Sequence, residues 1–173
     1  INSVNGVTAK IRTVPDVFPE ILGSKSPIPE AGSLYATLED LQSCAGIALG
    51  SPTRFGNMAA PLKYFLDTAT TAWLKGSLEN KPACVFTSSG SIHGGNESTL
   101  LSMQLPLFHL GMIIIGIPYS EPSLSNSISG GTPYGASHVG GEKNNNPITG
   151  DEKKICIAQG VRLAEIAKKI NSK

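Results

Sequence analysis

Three apolar runs, at 44–50, 83–87 and 112–117, set the frame of this chain. Each is short and apolar throughout, the pattern of strands buried on both faces of a parallel sheet. Amphipathic segments separate them. Residues 58–67 carry Pro61 in a first turn, where proline is tolerated, and repeat Leu62, Phe65 and Leu66 on one face. Residues 97–110 read as a second helix stopped by Gly111, and 151–170 as a third, with Leu163, Ile166, Ala167 and Ile170 at helical spacing. Thr37-Leu38-Glu39-Asp40 has the form of a capping box and predicts a short helix. Residues 7–13 alternate like a half-buried strand, and the Pro/Gly/Ser-rich stretch 15–32 reads as a loop. Residues 118–150, rich in Gly, Pro, Ser and Asn, show no period; so long a loop in a compact domain is usually functional.

Strands alternating with helices predict a doubly wound parallel sheet in an α/β class, three layers deep, as a single domain over 1–173. The element count falls one strand–helix unit short of a five-stranded sheet. The polar start, from Ile1 to Gly6, is where that unit would belong.

Composition narrows the partners. Of 173 residues, 40% are hydrophobic and 16% charged, which reads as a soluble globular chain with a real core. A net charge of +1 argues against nucleic acid or an anionic membrane as partner; Lys153-Lys154 and Lys168-Lys169 read as a solvated helix face. No apolar run approaches a membrane span. Cys44, Cys84 and Cys156 match no metal spacing and read as free thiols in a reducing, cytoplasmic setting. His93 and His138 have no partners at metal spacing, so no metal is assigned.

The candidate chemistry lies in two loops. Gly50-Ser51-Pro52-Thr53-Arg54-Phe55-Gly56-Asn57-Met58 follows the first strand, and Thr87-Ser88-Ser89-Gly90-Ser91-Ile92-His93-Gly94-Gly95 follows the second. In open α/β sheets the ligand crevice lies beyond the carboxyl ends of the strands. Small hydroxyl residues and glycines there suit a flat polar ligand held by amides and hydroxyls. Read locally, Thr53, Arg54 and Phe55 serve equally as a strand-to-helix connection, Trp73 as packing, and His109 as a cation at a helix C-terminus. No carboxylate pair, Gly-x-Ser-x-Gly elbow or Cys/His pair points to acyl transfer. That favours chemistry carried by a cofactor.

The first loop, Phe65-Leu66-Asp67, Trp73, His109 with Gly111-Met112, and Gly130-Gly131-Thr132-Pro133-Tyr134-Gly135-Ala136 together resemble one family. It is the flavodoxin-like NAD(P)H:quinone oxidoreductases historically called tryptophan-repressor-binding proteins. The resemblance runs from about Val7 to the C-terminus. It implies a tetramer that binds FMN and passes two electrons from NAD(P)H to a quinone by a ping-pong route. It assigns Thr53, Arg54 and Phe55 to one flavin loop and Ser88, Ser89, Gly90 and Ser91 to the other, with Ile92-His93 resembling an insertion. His109 matches a histidine that reaches the flavin, and Trp73 an aromatic wall for nicotinamide or quinone. The resemblance also implies an initial strand and phosphate-cradling loop that the chain lacks, so FMN is expected to bind little better than riboflavin. The segment 130–135 is expected in a neighbouring subunit's cleft. A non-enzymatic interaction module on the same scaffold is the alternative; an electron-transfer flavodoxin fits the near-neutral charge less well.

Overall fold

A computed structural model describes residues 1–17 and 29–172. The elements are α1 (Leu38–Ser43), β1 (Ile47–Pro52), α2 (Ala60–Asp67), α3 (Thr70–Leu74), β2 (Pro82–Ser89), α4 (Asn96–His109), β3 (Ile113–Ile114), α5 (Pro122–Asn126), β4 (Ala136–Val139) and α6 (Gly150–Asn171). All strand pairs are parallel, with β1 against one edge of β2. Two strands share the other edge: β3 pairs with Pro82 and Ala83, and β4 with Phe86 to Ser89. They act as one outer strand interrupted by an insert of about twenty residues that contains α5. Thus β2 is interior, and the order predicted for the three apolar runs holds.

The side chains of β2 explain the layers. Ala83 and Val85 face a core cluster with Leu62 and Leu66 of α2 and Leu100, Met103 and Leu107 of α4. Cys84 faces Leu163 of α6 on the opposite side, beside Ile115, and Ile155 of α6 packs on Ile117 and Ala136. This is the α/β/α sandwich expected from the sequence. Buried Gln159 braces it: its Nε2 donates to the Val85 carbonyl at 3.1 Å and its Oε1 accepts from Ala136 N at 3.0 Å. Burial pushes the Cys84 thiol up to about 12, so it is an inert core group.

Several expectations change. Residues 7–13 form no strand; Thr13 alone makes a bridge, to Tyr35. The reason is the lack of a ladder partner, for a groove of about 520 Å³ separates this segment from β1. The stretch 118–150 is not one loop but holds α5 and β4. Four residues are too few for a period to show, and their register is set by β2. Trp73 lies on α3, a helix of its own, and α4 tolerates Pro106 in its last turn. Ile170 is half-exposed at the end of α6, whereas Leu163 and Ala167 are buried. The expected loop 15–32 has no element at 15–17 or 29–32; its middle, 18–28, lies outside the described residues.

Candidate active site

The carboxyl ends of β1 and β2 open into two loops that meet, as their sequences predicted. Thr53 N donates to the Ser88 carbonyl at 2.8 Å, extending the β1–β2 pairing into the crevice. Thr53 Oγ1 lies 3.2 Å from Thr87 Oγ1 and accepts from Thr99 Oγ1 at 3.2 Å. Thr87 Oγ1 in turn donates to the Ser51 carbonyl at 2.8 Å. These hydroxyls join β1, β2 and α4 beneath the site. Thr87 opens the second loop singled out in the sequence, whereas Thr99 has no distinguishing mark there; only the fold brings it to Thr53.

Residues 54–57 close a tight turn, with Arg54 N donating to Asn57 O at 2.8 Å and Asn57 N to Arg54 O at 3.0 Å. The turn holds Phe55 at φ 51° with its ring in solvent. A positive φ is costly for a bulky residue, and strain of this kind concentrates at ligand sites. The Arg54 guanidinium bonds the Thr53 carbonyl at 3.0 Å and is otherwise exposed. Close backbone approach joins the two loops, since a Cβ on Gly95 would sit 3.0 Å from Gly56 Cα; within the second loop, one on Gly94 would sit 3.0 Å from the Ser91 carbonyl. Ser89 Oγ donates to the Ser91 carbonyl at 2.7 Å, which shapes the second loop. Gly90 and Ser91 are exposed above it.

The first turn of α4 starts at Gly95 with no side-chain cap. Asn96 behind it is buried, and its Oδ1 has no hydrogen-bond partner. A third loop, 140–146, closes the crevice on the β4 side. Gly140 N donates to the Ser89 carbonyl at 2.8 Å, and Asn146 N returns to Gly140 O at 2.9 Å. Sequence reasoning missed this wall. The Gly140-Gly141 pair is its one visible signal.

Residues 3–121 match the family described as NADPH-dependent FMN reductase. The chain belongs to this family. An "NAD(P)H dehydrogenase (quinone)" of Syntrophobacter fumaroxidans is 40% identical over 98% of this chain and 87% of its own. Proteins of the same name from Acidithiobacillus ferrooxidans and Geobacter sulfurreducens are 40% and 38% identical over 97% and 99% of this chain, and 86% and 88% of theirs. A flavodoxin, WrbA-like protein from Agrobacterium tumefaciens shares the fold with a TM-score of 0.58, at 22% identity over 82% of this chain and 78% of its own. The chain is therefore an NAD(P)H-dependent flavin oxidoreductase with a flavodoxin-like fold, which sets the non-enzymatic alternative aside. FMN is the cofactor of the family and NAD(P)H its reductant. The crevice has features that suit a polar ligand such as a flavin: the start of α4 carries no side-chain cap, and the buried Asn96 Oδ1 behind it has no hydrogen-bond partner.

Two assigned residues lie elsewhere. His109 ends α4, fourteen residues from its start and about 20 Å down the helix axis from the crevice. It shares a second hollow of about 400 Å³ with Trp73, Lys63, Asp67 and Leu105. The structure thus brings Trp73 and His109 together, but not with Thr53 or Ser88 of the same chain. The segment 130–135 is largely packed within its own chain. Gly130, Thr132 and Gly135 are buried against their own chain, since a Cβ on Gly135 would fall 2.2 Å from the Val85 carbonyl. Gln104 Nε2 binds the Tyr134 carbonyl at 3.0 Å. The glycines serve close packing within the chain, while Tyr134 between them is 42% exposed.

Proposed function

We propose that this chain transfers two electrons from NAD(P)H to quinones in the crevice formed by the loops after β1 and β2. The observation that carries the reading is the junction of those loops at Gly56 and Gly95, which leaves the strained, exposed Phe55 ring beside an uncapped helix start. The names of the relatives, NAD(P)H dehydrogenase (quinone), support the acceptor class. Bound FMN supplies the two-electron relay. Thr53, Ser88, Ser89, Gly90 and Ser91 hold its polar edge through amides and hydroxyls, Arg54 supplies positive charge, and Phe55 forms an apolar wall. Reductant and acceptor take the same place in turn, a ping-pong order.

Trp73 and His109 enter this site from a second copy. The support is their separation from the crevice within one chain, together with the exposed apolar side chains Trp73, Leu101, Leu105 and Phe108 on the same side of α3 and α4. An assembly, a tetramer in our reading, covers that face. His109 then faces the acceptor as a proton or hydrogen-bond donor, and Trp73 gives a stacking surface. Three free cysteines fit a reducing cytoplasm. No helix among the described residues is long and apolar enough to cross a membrane.

The test is initial-rate kinetics on the FMN-loaded protein with NADPH or NADH and a benzoquinone. Parallel double-reciprocal lines are expected. Intersecting lines would remove the ping-pong order, and no quinone-dependent NAD(P)H oxidation would remove the acceptor class.

A further inference from the structure

The side chain carrying the most hydrogen bonds in the crevice region is Glu152, in the first turn of α6. It is 2% exposed. Its Oε1 accepts from Ser129 Oγ at 2.9 Å, from Gly130 N at 3.0 Å and from Val139 N at 3.0 Å. Its Oε2 accepts from Thr149 N at 2.8 Å and meets His138 Nδ1 at 3.0 Å. These donors come from three stretches: the exit of the insert, the end of β4, and the residue before α6. Both carboxylate oxygens are fully engaged, and the bonds from Val139 and Thr149 flank the third wall of the crevice on either side.

We infer that Glu152 is a positioning residue for the flavin crevice, the clamp that holds the 140–146 wall against the Ser89 loop and ties that wall to the insert. The inference rests on the proposed function, in which this crevice takes the flavin. The path is short. Glu152 fixes Val139 N, and the next residue, Gly140, makes the bond to the Ser89 carbonyl at 2.8 Å. Gly140 is buried, and the Gly141 carbonyl lies 3.5 Å from where a Gly90 Cβ would be. Asn146 Nδ2 then folds the loop back onto the Val139 carbonyl at 3.2 Å. Releasing Val139 therefore loosens the one wall segment that touches Ser89 and Gly90. A buried carboxylate is expensive, and an apolar side chain would fill the same space at less cost. What it adds is five directional bonds that admit one arrangement of these segments. Glutamine can replace it only in part, because one of its two acceptor oxygens becomes an NH2 group, which cannot take the Thr149 N–H on Oε2 or the N–H groups of Gly130 and Val139 on Oε1.

The test is Glu152→Gln in the FMN-loaded protein, with amide exchange followed residue by residue. Exchange at Gly130, Val139 and Gly140 should rise about tenfold or more, as expected for loss of a bond to a charged acceptor, while Val85 and Leu100 keep their protection. The FMN dissociation constant should rise by a similar factor, and KM for the quinone should rise with kcat held within about twofold. Ala164→Gly, lower on α6, lowers helix stability without touching the clamp and should leave KM and FMN affinity unchanged. Ser129→Ala removes a single donor and covers the case in which Glu152→Gln does not fold; it should loosen Gly130 and weaken FMN by a smaller factor. Unchanged exchange at Gly140 and unchanged FMN affinity in a folded Glu152→Gln, or unchanged exchange at Gly130 and unchanged FMN affinity in Ser129→Ala if only that variant folds, would overturn the clamp. Wild-type protein that takes up no flavin would overturn the proposed function instead, and the exchange comparison would still decide whether Glu152 holds the wall.

Discussion

At the scale of single residues, the crevice separates strain from affinity. Phe55 sits at φ 51°, a conformation that glycine adopts freely. Phe55→Gly is expected to stabilise the fold, or leave it unchanged, by up to about 1 kcal/mol while weakening flavin binding. Thermal unfolding and FMN titration of one sample read both effects; a destabilised variant with intact binding would show the ring to be a packing group. The two nearby arginines make a second contrast. Arg12 is engaged by Asp40 at 3.0 Å, and that hydrogen bond holds the Asp40 carboxyl below its usual range, whereas Arg54 bonds the Thr53 carbonyl and is exposed at the crevice rim. Arg54→Ala should cost roughly 1.5–3 kcal/mol of FMN binding, the range for a charge-assisted hydrogen bond, and Arg12→Ala should cost stability instead. Equal FMN dissociation constants for the two variants would take Arg54 out of the site.

At the scale of elements, glycine placement divides the outer strand from the last helix. Gly135 enters β4 where a Cβ would fall 2.2 Å from the Val85 carbonyl and 2.9 Å from Leu100. Backbone cannot yield as a flexible side chain can, so Gly135→Ala should destabilise by several kcal/mol, of the order of ~3 or more. Gly150, the first residue of α6, has nothing within 4 Å of an added Cβ. Gly150→Ala should be neutral or stabilise by up to about 1 kcal/mol. Urea unfolding of the pair checks this; comparable midpoints would mean that β4 does not sit against Val85. The cap of α6 belongs to the same element: Thr149 and Glu152 form a reciprocal capping box. The Thr-x-x-Glu pattern is plain at 149–152, yet the carboxylate's reach to Ser129, Gly130 and Val139 is not, because those partners are brought to it by the sheet.

At the scale of the whole molecule, Glu152 also sets the response to acid. Burial alone would raise its carboxyl; the donors from Thr149, Val139, His138 and Ser129 outweigh it and lower the group to about 2 from 4.5. A depressed native value contributes stability that is complete above the unfolded value and is lost as pH falls from about 4.5 toward 2. The contribution is roughly 3 kcal/mol by linkage. Unfolding free energy should therefore fall over that window in wild type, and fall less in Glu152→Gln; parallel pH curves would contradict it. The oligomer is tested at the same scale. Leu105 and Phe108 are exposed on the α4 face beside Trp73. Leu105→Glu should yield monomers by sedimentation, with unchanged secondary structure and lost quinone reduction. A fully active monomer would place Trp73 and His109 outside the site.

The sequence by itself determined the layers and the floor of the crevice. Apolar runs of strand length, helical spacing in 151–170 and the small polar residues after 44–50 and 83–87 are local signals, and local signals survive without the fold. Its family motifs carried the cofactor as well, since Thr53, Arg54 and Phe55 keep their neighbours in the chain. Tertiary structure alone decided what depends on distant partners. Residues 7–13 have the alternation of a strand but no ladder, while Ala136 to Val139 lack a visible period yet pair, because β2 offers them an edge. Gly130, Gly131 and Gly135 look like free turn residues, and only the fold packs them against Ser137, Ile155 and Val85. His109 keeps its motif spacing but lies at the far end of α4, with Trp73 of α3 lining the same hollow, since a helix of fourteen residues carries its last turn away from its first. Glu152 shows the same division within one side chain: its cap is written three residues away, and its grip on the crevice wall exists only once β4, the insert and α6 are side by side.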